Sequence, residues 1–497
     1  MRKKTYLTAR ALANRLRMGG LKTAAREITI VRINPYRPTL GQPQDGLKHG
    51  ENLANQFEGE SFASSASLIY SAPLMRIFIL AIYLGFFLLS FLLDWFLNIL
   101  NINFALKNHE LAPANLRDHV DKTSYARSVE YTLRKSRFNL VQSFAGRALI
   151  LIILFAGIAG ALDTLVGLTG LSPYWQGFIF LTLASALLWA AALPGSLYFQ
   201  FVIEEEFGFN TTSLRTFFSD TAKKAPIVLL ILAAFLGGLY AILELAGDWW
   251  WIWAWGFQTL FQLLVMILLP LLIAPLFNKF TALPEGSLRK RLEALADRCS
   301  FPNRGIFVVD GSRRSRHSNA YFAGIGKARR IVLFDTLMDL LQEKEIEAVL
   351  AHEIGHWKSG HILRRLAAAA LVSLMVFWCI GIILGSDDFF LAFGFSSPSL
   401  HALLFCLTFY LRPLSLVSSP IANSWSRKHE YQADKFAVKQ MGDSTPLKEA
   451  LLKLGKDNLS NLSPHPLYSF WHYSHPALSE RLSALEAKSQ KMPPSSR

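Results

Sequence analysis

From residue 76 onward, long apolar stretches alternate with charged connections. No charged residue occurs from Trp249 to Asn278, from Leu366 to Ser386, or from Phe389 to Leu411, and each window reaches the length of about 20 apolar residues that crosses a bilayer. Arg76 to Leu100 is interrupted only by Asp94, and Pro226 to Gly247 only by Glu244. Ala148 to Ile203 holds one charge, Asp163, and is long enough for two helices hinged near Ser172–Pro173. The pattern predicts seven membrane-spanning helices. A different period governs 343–361, where Ile346, Val349, Leu350 and Ile354 form one apolar stripe of a helix. GIFVVDG (305–311) and ARRIVLFD (328–335) are β-branched and apolar between Gly and polar turns, which predicts short strands flanking SNAYF at 318–322. An exposed strand edge there would accept a peptide as an added strand.

Composition strengthens the membrane reading: 52% hydrophobic residues, 18% charged and a mean hydropathy of +0.28 exceed the apolar share usual in soluble domains. The net charge of +15 does not indicate nucleic acid, because the Lys and Arg residues are spread over the connections between spans. Segments 101–147, 204–225, 279–365 and 412–497 are the basic ones, so the positive-inside rule turns all four to the cytoplasm. An odd number of spans then places the N-terminus outside, against the eleven basic and five acidic residues of 1–75. The first thirty residues, with one acidic side chain, admit a surface-lying helix, a transit-like leader or an over-long translation start. Three carboxylates within spans, Asp94, Asp163 and Glu244, face water inside the bundle or lie at span ends. Cys299, Cys379 and Cys406 show no metal-ligand or disulfide spacing.

The candidate chemistry lies in AHEIGHWKSGH (351–361). His352 and His356, four residues apart on a helix, present two imidazoles on one side, suited to two nitrogen ligands of tetrahedral zinc. Glu353, beside the first ligand, reaches a metal-activated water rather than the metal. His361 is a poor third ligand, since the metzincin spacing puts Gly and His where Ser359 and Ile362 stand. SRKHEYQAD (426–434) offers a better one. Glu430 and Asp434 share a helical face, so Glu430 would bind zinc while Asp434 accepts a proton from a ligand imidazole. A solvated charged face paired with Arg427 and Lys428 is the plainer alternative for that segment. His429 points elsewhere.

These motifs, with FVIEEEFGFN (201–210), LRTFFSD (214–220), PLFNKF (275–280), FVVDGSRRSRHSNAYFAG (307–324), RRIVLFDTLM (329–338) and YSHPALSERL (473–482), resemble in their order the integral-membrane gluzincin zinc peptidases of the CAAX prenyl protease 1 family. The resemblance covers about residues 76–485. It implies an all-α polytopic membrane protein whose seven transmembrane helices enclose a chamber, with a gluzincin zinc-peptidase domain carrying a small β element. His352, His356 and Glu430 would ligate one zinc ion per chain, and Glu353 would be the general base. Asn319 would hold the substrate backbone, and His475 and Arg481 would line the site and steady the oxyanion. Arg481 also suits an ion pair with Asp434 or Glu430.

The expected organisation is a basic extension (1–75), transmembrane helices 1–5 (76–278), a first peptidase part with the HExxH helix (279–365), transmembrane helices 6–7 (366–411) and a second peptidase part (412–497). The function implied is peptide-bond hydrolysis by zinc-activated water on peptide or protein substrates, prenylated ones included. The setting is a lipid bilayer of bacterial inner-membrane or endoplasmic-reticulum type, with the catalytic side cytoplasmic and no nucleic acid involved. Two rivals remain: a general quality-control metalloprotease without prenyl specificity, and a non-catalytic channel or scaffold with a vestigial zinc site.

Overall fold

The computed structural model describes residues 60–489 apart from 111, 303 and 324–328. Most of the expected basic extension, 1–59, lies outside the described residues. Helix α1 (Glu60–Lys107) supplies the first span, α2 (Lys122–Phe155) the second, and α3 (Ile158–Gly167) is a short apolar helix. Helix α4 (Pro173–Tyr198), prolonged by a π-helical turn, is followed by α5 (Leu214–Leu245) and α6 (Trp250–Leu268). With α10 (His361–Ile383), six helices among the described residues are long and apolar enough to cross a membrane, and the bent helix α12 (Leu400–Met441), counted as one span, makes seven.

Two spans depart from the sequence expectation. The second begins at the Asp121 N-cap, whose carboxylate accepts from Ser124 N, well before the charge-free window at 148. A helix does not stop where its charged residues begin when that part emerges into water. It ends before Gly157, at φ 71°, a left-handed backbone that suits glycine, so 148–171 is divided between α2 and α3. The window Phe389–Leu411 is divided as well. Phe389, Phe390, Phe393 and Phe395 are buried against Tyr83, Phe87 and Phe180, partly on the short helix α11 (Asp387–Ala392). The span proper starts at Leu400, after Ser399 caps it by accepting from Ala402 N. Helix α12 then bends 52° between Leu411 and Pro413 and runs on to Met441, so the seventh span and the Glu430 segment are one helix.

The three intramembrane carboxylates also differ. Asp94 is paired with Arg147 at 3.2 Å and Asp163 is hydrogen-bonded to His401 at 2.7 Å, so neither carboxylate stands without a partner in an apolar bundle. Glu244 is exposed in the last turn of α5, the span-end alternative.

The peptidase half forms around a four-stranded sheet, β1 (Phe280–Ala282), β2 (Ile306–Val309), β3 (Ala320–Ala323) and β4 (Arg330–Phe334), in the order β1-β2-β4-β3. β2 and β4 run parallel, with Ile306 opposite Ile331, and β3 is antiparallel to β4, with Tyr321 opposite Val332. β3 is therefore an edge strand. Helices α7 (Ser287–Arg298), α9 (Glu343–Lys358) and α13 (Thr445–Asp457) share a core with the sheet through Leu292, Ile331, Leu333, Ile346, Leu350 and Leu447. The short helix α8 (Asp335–Leu340) links β4 to α9, and α14 (Pro466–His472) and α15 (Leu478–Ser489) complete the described chain.

Candidate metal centre

Helix α9 starts with a capping box in which Gln342 and Glu345 satisfy each other's backbone N–H groups. Its apolar stripe, Ile346, Leu350 and Ile354, is buried, which fixes the helix's rotation and turns His352 and His356 toward α12. The two helices approach closely at Gly355. A Cβ there would lie 3.0 Å from Ala433 Cα and 3.2 Å from its carbonyl oxygen, tighter than ordinary side-chain contacts, so glycine favours this approach. Ala433 lies between Glu430 and Asp434 on the facing helix, and the contact brings both carboxylates to the imidazoles.

The resulting cluster has the spacing of a metal site. His352 Nε2 lies 3.2 Å from His356 Nε2 and 3.4 Å from Glu430 Oε2, while His356 Nε2 lies 3.3 Å from Glu430 Oε1. Two ligands of a tetrahedral zinc with bonds of about 2.0–2.2 Å stand roughly 3.3–3.5 Å apart. Glu430 Oε2 is buried without a hydrogen-bond partner; its 2.8 Å approach to His475 Nδ1 is an ion-pair distance lacking hydrogen-bond alignment. A buried carboxylate oxygen without such a partner, facing two imidazole lone pairs, fits a cation.

The remaining ring nitrogens are engaged so as to leave Nε2 free on both histidines. His352 Nδ1–H donates to Asp434 Oδ1 at 2.8 Å, and Asp434 is held by Arg481, which donates from Nε (3.0 Å) and Nη2 (2.5 Å). His356 Nδ1–H donates to His361 Nδ1 at 3.0 Å, and His361 Nε2–H donates to Gln432 Oε1 at 2.8 Å. His361 is itself buried and stacked on His429, ring centroids 3.9 Å apart. It orients a neighbouring imidazole and is no member of the three-residue cluster. Gln432 was not singled out from the sequence, although its place two residues beyond Glu430 was a usable signal.

The other expected residues fall at different distances from the cluster. Glu353 is half-buried on α9 and makes no hydrogen bond among the described residues. His475 is 65% exposed at the open side of Glu430. Arg481 is brought to Asp434, the ion-pair alternative. Asn319 is exposed just before edge strand β3, where its Oδ1 accepts from Ala320 N and its carbonyl from Phe334 N. The motif at 201–210 braces that strand: Arg316 N donates to Phe209 O, His317 stacks on Phe209 at 4.0 Å, and His317 Nε2–H donates to buried Glu204 at 3.1 Å.

Burial opposes charge on His352, but its hydrogen bond to Asp434 and the nearby Glu430 carboxylate outweigh it and push its pKa up to about 9. Below pH 9 the metal-free site therefore holds a proton that a metal must displace. Zinc affinity is expected to rise about tenfold per pH unit between pH 6 and 9 and then level off. Chelator competition across that range checks this; a flat profile from pH 6 to 8.5 would show that the site binds no such proton.

Comparison with known proteins gives a consistent result. Residues 101–279 match the family described as CAAX prenyl protease N-terminal, five membrane helices, and residues 282–489 match peptidase family M48. The CAAX prenyl protease 1 homolog of Arabidopsis thaliana is 37% identical over 417 residues, covering 82% of this chain and 97% of that protein. The human homolog is 37% identical over 76% of this chain and 89% of its own length. The crystal structure of S. mikatae Ste24p superposes with a TM-score of 0.75 at 34% identity, covering 82% of this chain and 98% of that one.

Proposed function

The chain belongs to peptidase family M48, among the CAAX prenyl protease 1 proteins, and on that premise we propose that it trims C-terminal residues from prenylated proteins at a single zinc ion on the cytoplasmic side of its membrane. It is an integral multi-pass membrane protein and a metallopeptidase. The observation that carries the proposal is the tetrahedral spacing of His352, His356 and Glu430 beside a carboxylate, Glu353, that makes no hydrogen bond among the described residues.

His352, His356 and Glu430 would hold a zinc ion, which would supply Lewis acidity toward a carbonyl oxygen and a water acidic enough to react near neutral pH. Glu353 takes the proton of the attacking water and returns it to the leaving amine. Asp434 and His361 keep the two imidazoles in the tautomer that ligation needs. Arg481 acts through Asp434: its two shortest side-chain hydrogen bonds are to that carboxylate, Nη2 lies 3.5 Å from His352 Nδ1, and its charge is favoured despite burial by Asp434, Glu430 and Glu353. His475, exposed beside Glu430, is placed to donate to the developing oxyanion. Asn319 and edge strand β3 take the substrate backbone as an added strand, and the chamber enclosed by the spans houses the lipid tail.

Cleavage of a prenylated CAAX peptide, its unprenylated counterpart and a denatured membrane protein by the purified enzyme tests this reading. The prenylated peptide is expected to be cut at least tenfold faster than the plain one. Equal rates on the two peptides would remove the prenyl specificity, and preference for the denatured protein would favour quality control.

A further inference from the structure

Away from the metal centre, a groove of about 570 Å³ lies between the first turns of α5, the chain leaving α6 and the Gly311–Arg314 turn of the peptidase half. Arg215, Lys223, Lys279 and Arg313 line it, all four exposed, and none of their side chains has a carboxylate within ion-pair distance among the described residues. The groove's one carboxylate, Asp220, is already taken: Arg314 donates to both of its oxygens at 2.7 and 3.1 Å and also reaches Asn278 Oδ1 at 3.0 Å. This fork ties the peptidase turn to two spans. The lining carries five cations against one carboxylate, an excess of four positive charges, with Lys223 within electrostatic reach of Asp220.

The depth of the groove in the membrane is fixed by sequence. Lys223 precedes by one helical turn the apolar segment that starts at Pro226, and Lys279 follows by three residues the apolar run that ends at Leu276. Lys223 and Lys279 therefore sit at headgroup level, on the face that carries the peptidase half, with Arg215 two helical turns farther into water. Pro275 and Leu276, both exposed, line the groove where that apolar run ends. A soluble polyanion would meet only the charges, whereas a phospholipid would meet both the charges and this apolar rim. Basic pockets between spans take anionic headgroups in the same way.

We propose that this groove binds a phospholipid whose headgroup carries more than one phosphate. An excess of four positive charges is more than a single phosphodiester would neutralise. Each exchange of a Lys for a neutral side chain near such a headgroup lowers affinity about fivefold, so Lys223→Gln with Lys279→Gln is expected to lower it about 25-fold.

The test uses the full chain in phosphatidylcholine nanodiscs. Binding of phosphatidylinositol 4,5-bisphosphate is measured against phosphatidylserine at matched charge, in the native protein, in Lys223→Gln/Lys279→Gln and in a control, Lys290→Gln/Lys439→Gln, that removes the same charge elsewhere. Peptide cleavage in pure phosphatidylcholine verifies that each variant is folded. Selective binding of the bisphosphate lipid, lost in the groove variant and kept in the control, is the expected result. Equal binding by groove variant and native protein overturns the site. Equal binding of charge-matched phosphatidylserine overturns the requirement for several phosphates. Soluble inositol trisphosphate competing as strongly as the lipid overturns the lipid as the source of the phosphates.

Discussion

Glu353→Gln is expected to keep its zinc and lose proteolysis by a factor of about 10² to 10⁴, the range assigned to a positioned general base. The exchange is isosteric, and Glu353 makes no hydrogen bond among the described residues, so neither the ligand geometry nor the α9 core has reason to change. What disappears is a carboxylate able to take a proton from water and give it to an amine. Metal analysis of the purified variant beside a peptide-cleavage assay separates the two effects. Full proteolysis with zinc still bound would refute the assignment of Glu353 as the base.

Glu430→Ala should fail at the earlier stage, with zinc lost and cleavage lost with it. The carboxylate faces both imidazoles, at 3.4 and 3.3 Å, and its removal leaves two protein ligands. Zinc sites bind with about 10–16 kcal/mol spread over four ligands, so one ligand is worth roughly 3 kcal/mol, or a hundredfold and more in affinity. The carboxylate is buried beside the imidazoles and acts on Arg481, so its loss also costs some stability in the metal-free protein. Zinc titration and thermal unfolding in detergent check both halves. A variant that retains native zinc affinity would show that the third ligand is another group.

Part of this was legible in the sequence because it depends on local spacing. Four residues separate His352 from His356 and Glu430 from Asp434, and helical geometry alone puts each pair on one face. Strands β2 and β4 were equally readable from their β-branched runs. The departures arise where partners rather than spacing decide. Phe389–Leu411 has the hydropathy of a span, yet its phenylalanines face other helices rather than lipid, and hydropathy does not distinguish the two environments. The link from His356 through His361 to Gln432 depends on the chain reversing between α9 and α10 at Gly360, φ 66°, and on the depth at which α9 seats against α12. Likewise, Arg481 had two candidate carboxylates in sequence, and only the tertiary structure brings it to Asp434.

The continuity of α12 turns the seventh span into a lever. From Pro413 at the bend to Glu430 is 17 residues, about 26 Å of helix, so a change of about 5° in the tilt of that arm would carry the carboxylate sideways by about 2 Å, close to the full length of a zinc–oxygen bond. Bilayer thickness, which sets helix tilt, would thus act mechanically on the metal centre. The contact of Gly355 with Ala433 opposes it by obliging α9 to travel with α12, so that both walls of the site move as one piece and lipid-driven tilt is spent on the chamber instead of on the ligand sphere.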